Sequence, residues 1–209
     1  MNNPNPNTKA FSIRTSDGIT ADQIDDLSYV DTNFLLDLNN KNSKHHSYCT
    51  DFVALMEEND KFIAYSSWVE NELSRILRLQ YARTYYKIDR ISDIDKLPLT
   101  DRQLINQTAF SEAEQLISSL DHMSLNVGSP SSSANEEAKN ISIQSGMQFD
   151  DSLHISVGLE NGINSYITSD GGFLDFRNGK NNINIYGASQ TISDLYKKEP
   201  DKNRLKFEF

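Results

Sequence analysis

The sequence holds a single cysteine, Cys49, among 209 residues. One thiol closes no intrachain disulfide and builds no cysteine zinc site, so a reducing, cytoplasmic setting is expected. Long apolar runs are missing too. No stretch approaches the ~20 residues that a bilayer-spanning helix needs. The opening MNNPNPNTKA is polar and lacks the apolar core of a secretory signal. Positive charge is in deficit, with 20 Lys and Arg against 30 Asp and Glu and a formal net of −10. That balance excludes loose, whole-surface attraction to a polyanion. A nucleic-acid partner would have to be held by a local basic stripe or by bound cations.

What is present, 37% hydrophobic residues, suffices for one sizeable core, and the length favours one embellished domain over two. Residues 1–26 are rich in Asn, Pro, Asp and Thr without a sustained period. They read as an irregular arm before a domain over 27–198, with a tail over 199–209. Residues 28–36 begin as a short apolar strand, meet Asp31 and continue as helix. Phe52, Val53, Leu55 and Met56 predict a helix over 46–58. Residues 61–65 predict a second strand, and Ser66 or Ser67 offers the N-cap of a long helix running towards Arg90.

Between 91 and 148 the pattern changes. Thr100 opens a helix through Leu120, residues 129–135 form a Ser-rich loop, and the whole segment reads as an insertion. Order resumes at Phe149, with a helix from Asp151 to about Glu160 that Gly162 ends. Strands follow over 163–168 and 183–186, then a terminal helix to Lys198. No internal repeat is visible. Strands alternating with helices imply an α/β fold with a mainly parallel sheet.

Four acids stand where such a sheet gathers ligands, beyond the carboxyl ends of its strands. Asp31 ends the first of these strands, and Glu72 lies in the helix that leaves the second. From Asp151 a helix rises about 15 Å at ~1.5 Å per residue. The following strand returns roughly 16 Å at ~3.3 Å per residue. Asp170 should therefore come back close to Asp151. Two carboxylates ~5 Å apart repel by roughly 3 kcal/mol at an effective dielectric near 20. A cluster of four holds protons or recruits a hard cation, and carboxylates favour Mg²⁺ or Mn²⁺ over zinc. Such an ion activates water and stabilises charge on a phosphodiester.

The blocks YVDTNFLLDL, IAYSSWVENELSRIL, FDDSLHISVGLENG and SYITSDGGF together resemble the PIN-domain nucleases, in particular the VapC-type ribonuclease toxins of prokaryotes. They cover residues 28–80 and 148–190 in the family's order. The resemblance implies a three-layer α/β/α PIN-like domain that acts as a Mg²⁺- or Mn²⁺-dependent endoribonuclease. It makes Asp31 the first metal ligand, Glu72 the second acid, Asp151 the third and Asp170 the fourth. Thr32, Asn33 and the Ser169 hydroxyl become supporting groups. Asp150 competes with Asp151 for the third place. RNA as substrate, a homodimer and a protein antitoxin are implied by the resemblance alone. The segment 91–148 and the N-terminal arm depart from the family's compact members.

Each acid by itself also fits a plainer role. Asp31 and Asp170 suit turns, Glu72 a solvated helix face, and Asp151 the positive end of a helix. His154, one helical turn after Asp151, suits a packed core position as well as a site, and is left outside the set. At ~100° per residue, Arg75, Arg83, Lys87 and Arg90 fall within roughly 60° of Glu72. They form a candidate cationic rail for a phosphate backbone, with Tyr85 and Tyr86 near enough to stack on bases. The basic stretch from Lys197 and Lys198 through Lys202, Arg204 and Lys206 reads as a soluble tail. Two rivals remain. One is a non-catalytic PIN-like module that binds RNA or protein. The other is an Asp-nucleophile phosphatase, which wants a second Asp at position 33, where Asn stands.

Overall fold

The computed structural model describes residues 8–177 and 181–198. Among these, six strands form one sheet: β1 (Thr8–Ser12), β2 (Leu27–Val30), β3 (Phe62–Tyr65), β4 (Ser124–Asn126), β5 (Ser165–Ile167) and β6 (Ile183–Gly187). Their spatial order is β1-β6-β5-β2-β3-β4, and every pairing is parallel. Parallel neighbours require crossovers, which helices supply. The α-helices are α1 (Thr32–Asn39), α2 (His46–Glu58), α3 (Ser67–Tyr86), α4 (Ile91–Ile94), α5 (Leu99–Ser118), α6 (Ser132–Ser145) and α7 (Phe149–Glu160), which lie between β2 and β5, and α8 (Gln190–Lys198), which follows the last strand.

From β2 the chain steps through β3 to the β4 edge, then returns to lay β5 on the other side of β2. Right-handed crossovers put α1 to α5 on one face and α6 and α7 on the other. The aromatic core follows that division. Phe34 of α1 and Phe52 of α2 pack towards Tyr186 of β6. Tyr29 of β2 and Tyr166 of β5, partners in register, turn towards the opposite helix, where the Tyr166 hydroxyl donates to the Ile155 carbonyl. A Cβ on Gly158 would sit 2.6 Å from the Tyr166 ring. A glycine there lets α7 lie close on the sheet. The reversal of strand order at β2 is the kind of switch point where α/β sheets bind ligands.

Two expectations need correction. Residues 8–12 are not irregular: β1 pairs with β6 over five residues and closes one edge of the sheet. Its anchor is Asp17, whose Oδ2 accepts from Ser12 Oγ and Ser193 Oγ, both at 2.6 Å, while Lys197 Nζ lies 2.8 Å from Oδ1. Ser193 and Lys197 come from distant sequence, which local composition does not reveal. The segment 91–148, read as an insertion on the domain, takes part in its sheet and core. It supplies edge strand β4, and Ala109, Ala113, Leu116, Ala134, Ala138 and Ile141 of α5 and α6 are buried in the main core. The Ser-rich run hides a helix start, since Ser131 Oγ accepts from Ala134 N as a true N-cap of α6. Second, α3 ends at Tyr86 instead of running on to Arg90, because Lys87 takes a left-handed conformation with φ 58°. Residues 199–209, with Lys202, Arg204 and Lys206, lie outside the described residues.

Candidate metal centre

Asp31 follows β2 directly and occupies the N-cap position of α1, yet its side chain makes no capping bond. Capping is what an aspartate there ordinarily does. This one is 2% exposed, and its Oδ2 accepts from Thr168 Oγ1 at 2.7 Å and Asn33 Nδ2 at 3.2 Å. Those two donors fix the carboxylate and leave Oδ1 facing inwards, 3.5 Å from His154 Nε2. Burial pushes the Asp31 carboxyl up from the ordinary range, against the lowering effect of His154 and Thr168.

Glu72 reaches the same point from the second turn of α3. Its Oε2 accepts from Thr32 Oγ1 at 2.7 Å and meets His154 Nε2 at 3.0 Å. Burial raises its pKa, but the bonds from His154 and Thr32 outweigh that and hold it below the usual value. Asp151 enters from the first turn of α7, where helix geometry puts it on the same face as His154. Its carboxyl is pushed up to about 6, first by burial and then by the charges of Asp31 and Asp170. A Cβ built on Gly172 would meet Asp151 Oδ2 at 2.7 Å and Asp170 Oδ1 at 3.6 Å. A glycine at 172 thus keeps open the space into which both carboxylates project. Asp151, not its neighbour Asp150, makes this approach.

Asp170 is exposed at the rim, and its Oδ1 accepts the Gly172 N–H at 2.9 Å. It serves as a turn former and as a neighbouring charge at once. Thr32 and Asn33 lie where supporting groups were expected. Ser169 does not reach the acids, and the hydroxyl that holds Asp31 is Thr168, one residue earlier.

His154, left outside the set on the sequence alone, lies inside the centre. It is 1% exposed, packed between the rings of Tyr29 and Phe173, and set between Asp31 and Glu72. Burial lowers its pKa, but the bond to Glu72 and the surrounding acids raise it further. The available signal was the i, i+3 spacing from Asp151. One donor atom each from Asp31, Glu72 and His154 fall within 4.8 Å of one another, a spacing that suits a single metal ion. The cationic rail, by contrast, is not assembled. Arg75 alone stays beside the acids, with Nη2 3.8 Å from Glu72 Oε1. Arg83 pairs with Asp89, Lys87 folds back on the Thr84 carbonyl, and Arg90 lies past the end of the helix. A cleft of about 370 Å³ opens next to the acids, with Asn33, Asn40, His45, Gln80, Ser169 and Asp170 in its walls.

No protein-family model and no curated protein matches the sequence. Among solved structures the chain is similar in fold to VapC PIN-domain structures and to FitAcB. One is VapBC2 from Rickettsia felis bound to a DNA fragment from its promoter, at 16% identity and TM-score 0.47, over 76% of this chain and 96% of that one. Another is VapC20 of Mycobacterium tuberculosis, a sarcin-ricin loop cleaving toxin, at 14% and 0.47, over 70% and 92%. FitAcB from Neisseria gonorrhoeae follows at 11% and 0.43, over 78% and 97%. No helix among the described residues is long and apolar enough to cross a membrane.

Proposed function

We propose that this chain is a divalent-metal-dependent endoribonuclease that hydrolyses RNA with Mg²⁺ or Mn²⁺ held by Asp31, Glu72 and Asp151, with Asp170 at the rim. The observation that carries the reading is the meeting of Asp31, at the end of β2, with Glu72 of α3 around one point, both bound to hydroxyls and neither spent on a helix cap, with Asp151 of α7 near enough to feel their charge. The donor set fits a cation on two further grounds. Asp151 is pushed up to about 6 first by burial and then by the charges of Asp31 and Asp170, which a cation would offset, and the missing Cβ at Gly172 leaves space beside it. When bound, a divalent ion there supplies Lewis acidity for phosphodiester hydrolysis.

The chain's own groups do the positioning. Thr168 and Asn33 fix one oxygen of Asp31 and turn the other inwards, and Thr32 holds Glu72. The neighbouring cleft, with Asn33, Asn40 and Gln80 in its walls, takes a nucleotide next to the scissile phosphate through amide hydrogen bonds. Charge neutralisation falls to the ion and to Arg75, since the chain carries a net of −10. The functional unit in this reading runs from residue 8 to 198. A protein antitoxin covering the acids, assembly as a homodimer and a place in the cytoplasm belong to the same proposal.

The test is cleavage of labelled RNA by the purified chain. Cleavage with Mn²⁺ that stops in EDTA and in Asp31→Asn is expected; cleavage that persists in either removes the mechanism. One observation favours a second reading. His154 Nε2 already meets both Asp31 and Glu72, so a non-catalytic module would rely on that contact without an ion. RNA binding without cleavage under every metal condition would select it.

A further inference from the structure

Nearly every feature of the candidate centre is explained by oxygen ligands, except the histidine inside it. His154 Nδ1 has no hydrogen-bond partner among the described residues, and Nε2 meets only Asp31 and Glu72. The imidazole's one polar engagement lies within the acid cluster. The ring is aimed there by packing alone, 5.9 Å from the Tyr29 ring and stacked 6.4 Å from Phe173.

We infer that His154 Nε2 is a ligand of the same cation, so that the site selects Mn²⁺, a first-row ion that accepts nitrogen, over Mg²⁺. This rests on the reading of Asp31 and Glu72 as cation holders. The distances suit it. Metal–ligand bonds of about 2.1 Å put neighbouring donors of an octahedron roughly 3.0 Å apart, and Nε2 lies 3.0 Å from Glu72 Oε2 and 3.5 Å from Asp31 Oδ1. Imidazole adds affinity for first-row transition ions, whereas Mg²⁺ prefers oxygen and water. The position in the chain suits it as well. Asp151 and His154 stand three residues apart on α7, so one helix face delivers an oxygen donor and a nitrogen donor together.

The experiment uses the full chain stripped of metal and titrated with MnCl₂ or MgCl₂ alone, followed by calorimetry and by the electron paramagnetic resonance of free Mn²⁺. Mn²⁺ should bind about tenfold or more tightly than Mg²⁺. Pulsed resonance on the Mn²⁺-loaded protein should show coupling to a directly bound nitrogen, a readout that needs neither activity nor a variant. In His154→Leu the coupling should vanish and Mn²⁺ affinity fall to the Mg²⁺ level, with His154→Gln as a polar replacement should the Leu variant fail to fold. Bound Mn²⁺ without nitrogen coupling, or equal affinity for the two ions, overturns the inference and leaves the nuclease reading standing. Tighter Mn²⁺ binding in His154→Leu overturns it too, since the ring would then compete with the ion. Binding of neither ion overturns both.

Discussion

Gly172 offers a way to disturb the centre without touching an acid. A methyl group there would start 2.7 Å from Asp151 Oδ2. Ordinary contact needs the carboxylate to retreat by roughly 0.5–1 Å. A misplacement of about 1 Å can cost on the order of a hundredfold in rate, so Gly172→Ala should lose ten- to a hundredfold in RNA cleavage, roughly by that measure. Stability should barely change. Gly172 has no left-handed φ, so alanine gains about 0.4–1 kcal/mol through the unfolded state, which offsets the displaced carboxylate. The melting temperature should stay within about 3 °C of the parent. Gly171→Ala is the matched control, because a Cβ at 171 meets nothing within 4 Å; it should cleave at the parent rate. Initial rates under saturating Mn²⁺, read beside thermal melts, decide the matter. Full activity in Gly172→Ala, or an equal loss in Gly171→Ala, would refute the steric reasoning.

Asp31→Asn should abolish cleavage and weaken Mn²⁺ binding in calorimetry while the chain stays folded, and retained binding would move the centre elsewhere. Thr168→Val strips the hydroxyl from a buried carboxylate and from the Asp170 N–H; it should cost about 1–3 kcal/mol in urea unfolding and lower the rate as well. Asp17 carries the acid limb of stability. Burial alone would raise its pKa, but Lys197, Ser12 and Ser193 outweigh that and lower it from 3.8 to about 2. Its contribution is therefore complete above pH ~4 and lost as pH falls towards ~2. After allowance for screening at the half-exposed Lys197, Asp17→Asn should cost about 1–2 kcal/mol at pH 7. The deficit should close near pH 2 in acid unfolding curves, and one that is unchanged at low pH would contradict the clamp.

The sequence was legible where apolar period and short range agree. The α2 boundaries follow from Phe52 and Met56, both buried, and α7 with β5 returns Asp170 to Asp151 as helix rise and strand rise require. It was opaque where stability is non-local. The strand β1 has modest hydrophobicity and depends on a ladder to β6 and on donors from α8. Small buried residues such as Ala134 and Ala138 give α6 little apolar signal. The rail failed because a wheel assumes an unbroken helix, and Lys87 breaks it. His154 was passed over because its meaning depends on Asp31 and Glu72, distant in sequence and adjacent only in the fold.

The central claim is that Asp31 and Glu72, acids from separate segments of the chain, hold one divalent ion, and anomalous diffraction from a Mn²⁺-soaked crystal addresses it most directly. The account predicts one peak bonded to both Asp31 and Glu72 at about 2.1 Å. A clear map with no peak between those carboxylates, or with Mn²⁺ bound only elsewhere on the chain, would contradict it.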